Sequence, residues 1–247
     1  MIRHLVPLSP NTVLSGLALA LALSACQTKV NECNKLADIV NQSVAQISKI
    51  ENRASDDPQA VAKDADEVAD LAEKTASEIA ALTIETAELQ PRAQTYTEVA
   101  NDMATASREL ASLMNKAHEM QSSRLGAAEA KFTASQTALE TVCDGGPPDC
   151  AKLAEVLERQ PEQTNEEQLS PVLGSYIADL KAVDLADAAV KKVVDEHVAA
   201  VTAYKQVIDD WGKLHTDLDA AEQKLDAVGA REDEIVADLN TFCVGSP

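Results

Sequence analysis

The feature that most constrains this chain is how rarely its backbone is punctuated. Between Val30 and Asp57, Gln59 and Gln90, Arg92 and Leu125, and Ser175 and Trp211 there is neither Gly nor Pro. Gly supplies the positive φ that tight turns need, and Pro removes a backbone donor and interrupts helices, so a fold with many turns has nowhere to place them here. Of the 247 residues 42 are Ala, the best helix former, which completes the case against an all-β or doubly wound α/β fold.

Apolar residues recur at three- and four-residue spacing. Leu36, Val40, Val44, Ile47 and Ile50 predict a helix over 34–53. Ser55-Asp56-Asp57-Pro58 ends it, with Asp57 placed to cap a second helix and Pro58 at its first position. The second seam runs from Val61 to about Leu89, and the third from Tyr96 through Leu139 predicts one helix over 92–142. A short helix is expected over 151–159 and a polar loop over 161–168. Ser170-Pro171 reads as a cap and first helical position for a helix to Thr241, with a break placed near Val183 or Asp184.

Asp plus Glu number 41 against 21 Lys plus Arg, a formal net charge of −20, so phosphate backbones and anionic headgroups should repel the protein and no nucleic-acid partner is expected. The acids are spread along helical faces, as on a solvated surface.

At the N-terminus, Arg3 and His4 precede an apolar stretch from Val13 to Leu23, too short to span a bilayer but suited to the hydrophobic region of a secretory signal. It ends in Leu23-Ser24-Ala25-Cys26, which resembles the lipobox of bacterial lipoproteins. The resemblance implies a signal peptide over 1–25 that is cleaved, a diacylglyceryl group and palmitate-type acylation on Cys26, and membrane attachment through lipid alone, with 26–32 as anchor and tether. Two or more acyl chains give stable anchoring. By the same resemblance, Gln27 rather than Asp after the acylated Cys favours the outer membrane if the source is Gram-negative.

Removing Cys26 leaves Cys33, Cys143, Cys150 and Cys243, an even set that an exported chain can oxidise. Three pairings exist; the favoured one joins Cys143 to Cys150 across a Gly-Gly-Pro-Pro turn and Cys33 to Cys243 at the ends of the mature chain. Six aromatic residues are too few for a wide core, so burial should follow narrow Ala, Val, Leu and Ile seams. The expected architecture is all-α: a single domain over 33–247, an elongated antiparallel bundle or coiled-coil-like rod. Four helices lie near the lipid anchor and narrow to a long helical hairpin at the Cys143–Cys150 end. No internal repeat or low-complexity block is evident.

The sequence carries no catalytic signature. His118, His197 and His215 lack the Glu-x-x-His spacing of di-iron bundles, H-E-x-x-H and C-x-x-C-H are missing, and no Gly-rich phosphate loop occurs. His197 lies one residue off the apolar seam, and Trp211 lies on it as core packing. No enzyme activity, metal or cofactor is expected. The expectation is a non-enzymatic cell-envelope scaffold or interaction module, offering Asp144, Pro147, Pro148 and Asp149 to another envelope protein, to the cell wall or, through helical packing, to a second copy. The alternative is a periplasmic or extracellular bundle that holds a small ligand, haem or metal between its helices.

Overall fold

The computed structural model describes residues 25–53, 55–144, 146–158 and 166–244. The expected leader and the first half of the lipobox-like segment, within residues 1–24, and most of the expected 161–168 loop lie outside the described residues, as do the side chains of residues 25–27 and 166–167. The fold is an all-α helical bundle: α1 (Ala25–Glu51), α2 (Pro58–Ala80), α3 (Gln90–Glu119), a π-turn (Met120–Arg124), α4 (Leu125–Cys143), α5 (Pro148–Leu157), α6 (Glu166–Ala182) and α7 (Ala188–Val244). No helix among the described residues is long and apolar enough to cross a membrane.

Local chemistry explains most boundaries. Asp57 caps α2 by accepting from the Gln59 N–H at 3.1 Å, with Pro58 at the first helical position. The segment read as a tether, 26–32, forms the first turns of α1 instead. α2 stops at Ala80 rather than Leu89, and residues 81–89 form a separate connection. Glu32 holds that connection: its carboxylate accepts from the consecutive N–H groups of Glu85 and Thr86 at 2.6 and 3.1 Å. α6 begins before Ser170-Pro171, so Pro171 lies inside the helix, and the Ser170 hydroxyl donates to Asp209 on α7 instead of capping. The expected break at Val183 separates α6 from α7.

The described residues divide into two compact units, one drawn from 25–115 with 217–244 and one drawn from 116–216. In the first, Cys33, Leu36 and Val40 of α1 pack with Ala76 and Ile79 of α2, Leu89, and Ala93, Tyr96 and Ala100 of α3 against Leu239 of α7. Further along the same helices, Ala69, Ala72 and Ala104 bring the backbones of α2 and α3 together. In the second unit, Leu139 of α4, Leu153 and Val156 of α5, Leu173, Tyr176 and Leu180 of α6, and Val190, Val194, Val198 and Val201 of α7 share one core. The two long helices and one short helix expected at this end are joined by α6, and α5 and α6 together cover the apolar stripe that α4 and α7 alone would leave wet.

Candidate functional site

The Cys143–Cys150 loop gathers the residues expected to contact a partner. α4 ends at Cys143, where Asp144 turns to an extended conformation; Gly146 takes φ +75°, a region that favours Gly, and Pro147-Pro148 opens α5. The disulfide between Cys143 and Cys150 spans a Cα separation of 5.5 Å. Asp144 and Pro148 are exposed and Pro147 is half-buried.

Asp149 faces inward, so it is not a partner contact. It is 5% exposed, and its Oδ2 accepts from the N–H groups of Ala186 and Asp187, both at 2.6 Å. Lys152 pairs with its Oδ1 at 2.9 Å and donates to the Asp184 carbonyl at 2.7 Å. The Asp187 N–H and the Lys152 ammonium hold the Asp149 carboxyl below the usual carboxylate range. Asp187 in turn caps α7, accepting from Ala189 and Val190 at 2.8 and 3.1 Å. The acid therefore fixes the start of α7 to the start of α5.

The other proposed staple also forms: Cys33 is bonded to Cys243, with a Cα separation of 5.6 Å. Beside it the Phe242 ring carries Lys29 Nζ at 3.9 Å and Arg92 Cζ at 4.5 Å from its centroid. Cys26 begins the second residue of α1, seven residues before this disulfide.

His197 is the polar group that sequence reasoning placed wrongly. It is fully buried in the second unit, where Nδ1 lies 2.9 Å from the Ser135 hydroxyl and Nε2 lies 3.0 Å from the Tyr176 hydroxyl. Ser135 donates to the Phe132 carbonyl at 2.7 Å, so its oxygen is left to accept from Nδ1–H, and Nε2 accepts from Tyr176. The arrangement suits the neutral imidazole, and burial holds its pKa below the usual value. Phe132 stacks against the ring at 5.7 Å and Tyr176 meets it edge-on at 5.8 Å. A serine committed to a backbone carbonyl beside a buried, fully bonded imidazole is a packing network; a nucleophile would need a free hydroxyl and access. The signal available in sequence was Tyr176 at one helix position and His197 on the valine seam, both on faces that bury.

Trp211 packs with Tyr204 and Leu125 against Met120, Ala128 and Val207, and meets His215 edge-on at 4.8 Å. His118 is half-buried on α3. No group of three His, Cys, Asp or Glu among the described residues could hold a metal ion. The chain matches no known protein family, curated protein or solved structure.

Proposed function

We propose that this chain is a non-enzymatic lipoprotein of the cell envelope, anchored through Cys26, whose helical bundle serves as an interaction module for another envelope protein or the cell wall. The observation that carries the reading is the Leu23-Ser24-Ala25-Cys26 lipobox behind a basic start and a short apolar stretch. The four other cysteines support it, since both disulfides suit an oxidising compartment. Asp144 and Pro148, exposed on a loop cross-linked by Cys143–Cys150, are the partner-facing residues of this reading. The buried network around His197 does not favour a metal or haem alternative, because both ring nitrogens already have partners.

Two measurements test it. Labelled palmitate should enter the wild-type protein and should be lost with its membrane fractionation in Cys26→Ser; unlabelled wild type removes the anchor from the proposal. A photo-reactive residue at Pro148 should capture one reproducible protein or wall adduct in whole cells, and the same probe on the exposed face of α2, at Lys63, should not. Equal capture from both positions rejects the loop as the contact.

A further inference from the structure

We infer that this chain is a fused tandem duplication: residues 31–147 and 148–247 are two copies of one module of two short helices and one long helix, and each compact unit is completed by the second half of the other copy's long helix.

Two carboxylates lead to it. Glu32 and Asp149 each stand immediately before a disulfide cysteine, are buried at 7% and 5% exposure, and accept from two consecutive N–H groups of the connection that follows the next helix. The segments around them read Glu32-Cys33-Asn34-Lys35-Leu36-Ala37-Asp38-Ile39-Val40 and Asp149-Cys150-Ala151-Lys152-Leu153-Ala154-Glu155-Val156-Leu157. Cys, Lys, Leu and Ala coincide, and the acids and aliphatic residues are exchanged in kind. Leu36 and Leu153 are both fully buried, at 1% and 0%.

From the second helix of each copy to the π-turn the register is constant. Ala72, Thr75 and Ile79 of α2 stand where Leu173, Tyr176 and Leu180 of α6 stand, at an offset of 101 positions, and all six are buried. The same offset aligns the pinned pairs, Glu85-Thr86 with Ala186-Asp187, and then the buried residues Leu89 with Val190, Ala93 with Val194, Tyr96 with His197, and Ala100 with Val201.

Beyond the π-turn the offset becomes 100: Leu125 with Leu225, Ala128 with Val228, Leu139 with Leu239, Thr141 with Thr241, Cys143 with Cys243. A π-turn is how an α-helix absorbs one extra residue, so Met120–Arg124 marks the place where the first copy carries a residue that the second lacks. The written sequence continues the match, Cys143-Asp144-Gly145-Gly146-Pro147 against Cys243-Val244-Gly245-Ser246-Pro247.

Contacts repeat with the register. Arg124 pairs with Asp210 at 2.5 Å in one unit, and their equivalents Lys224 and Glu109 pair at 2.6 Å in the other. Tyr96 meets Glu232 in one unit, and His197 meets Phe132 at the same place in the other. Each disulfide joins the head of one copy to the tail of the other. Ala-rich helices resemble one another in composition, but composition does not align buried positions, pinned loops, ion pairs and cysteines on the same offsets. The duplication also makes the Cys143–Cys150 loop the joint between copies.

The test exchanges the copies in the full chain, in the order 1–30, 148–247, 31–147. Pro247 then runs directly into Asn31, and Cys243 is separated from Cys33 by the spacing that separates Cys143 from Cys150 in the natural order. The expected result is unchanged helical circular dichroism, the pairs Cys33–Cys243 and Cys143–Cys150 by peptide mapping, and a Tm within about 3 °C of the parent, the size of a change of about 1 kcal/mol. Loss of cooperative unfolding, or any other pairing, overturns the equivalence of the copies. A second variant carries a protease site between Gly146 and Pro147. After cleavage and reduction of both disulfides the two pieces should still elute together, because each unit takes helices from both; pieces that separate overturn the exchange.

Discussion

The Tyr96 hydroxyl donates to Glu232 Oε1 at 2.6 Å from a side chain that is only 2% exposed. Burial pushes the Glu232 carboxyl above its usual range, Tyr96 opposes that rise, and Asp233 adds to it. Glu51 is raised too, by burial and by the charge of Glu232. Both carboxyls have folded-state pKa values above their unfolded ones, so the folded chain holds more protons and stability falls as pH rises from about 4.5 through the raised values. Tyr96→Phe should cost about 2 kcal/mol at pH 7, because the hydrogen bond to an ionised group is lost, and much less at pH 4. Glu232→Gln should flatten the fall in stability between these pH values. Urea unfolding at pH 4, 5.5 and 7 checks both, and a Tyr96→Phe cost that does not depend on pH counts against an ionised partner.

His197 gives the opposite sign. Its pKa is lowered by burial, so the unfolded chain binds the extra proton and the neutral ring's stabilisation is present above the unfolded value of about 6.5. It is lost as pH falls through the folded pKa. Replacement by Gln should remove this acid sensitivity while lowering stability at pH 7. Tyr176→Phe, which leaves Nε2 without its donor, should cost about 1–3 kcal/mol at neutral pH. Thermal unfolding across pH 5 to 8 separates the two effects.

Much of this fold is legible in the residues. The absence of Gly and Pro gives the long helices, Asp57-Pro58 gives the start of α2, and the even set of four cysteines admits the pairing of Cys33 with Cys243 that forms. The end of α6 is expected near Val183 or Asp184, but the end of α2 is not legible, because Leu82, Ile84 and Leu89 continue an apolar pattern with no breaker. What stops each helix there is a carboxylate from a remote segment, Glu32 or Asp149, which takes N–H groups that a continuing helix would use. The inward turn of Asp149 is hidden for the same reason: its partners lie 37 and 38 residues away. The repeat is obscured by unequal loops and the one-residue shift at the π-turn, and the readable trace of it was Cys-x-Lys-Leu-Ala after an acid, present twice.

Asp149 should act as a local clamp. Its carboxyl is held low in the folded state, so its contribution is present above the unfolded pKa of about 3.9 and is lost as pH falls through the folded value. Asp149→Ala leaves the N–H groups of Ala186 and Asp187 without an acceptor and should speed their exchange with solvent about tenfold or more at pH 7. Amides in the middle of α2 should be unaffected. Equal acceleration in both places would mean global destabilisation rather than an opened connection.

The two disulfides close loops of very different length, with sequence separations of 210 and 7. In the chain-entropy account a cross-link restricts the unfolded ensemble more as its loop lengthens, giving about 5 kcal/mol for Cys33–Cys243 and about 2.5 kcal/mol for Cys143–Cys150. The pair Cys33→Ser with Cys243→Ser should therefore lower Tm more than Cys143→Ser with Cys150→Ser. Each double substitution, compared with the oxidised parent in a reversible thermal scan, reads this difference directly. The duplicated architecture sharpens the test, because both bonds join equivalent positions and the native geometry around them is shared. When the copies are exchanged in order, the long and short loops exchange as well, and the ranking of the two substitutions should reverse. A ranking that stays with the residues, whichever loop they close, would place the difference in native-state packing around Cys33 and Cys243 rather than in the unfolded chain.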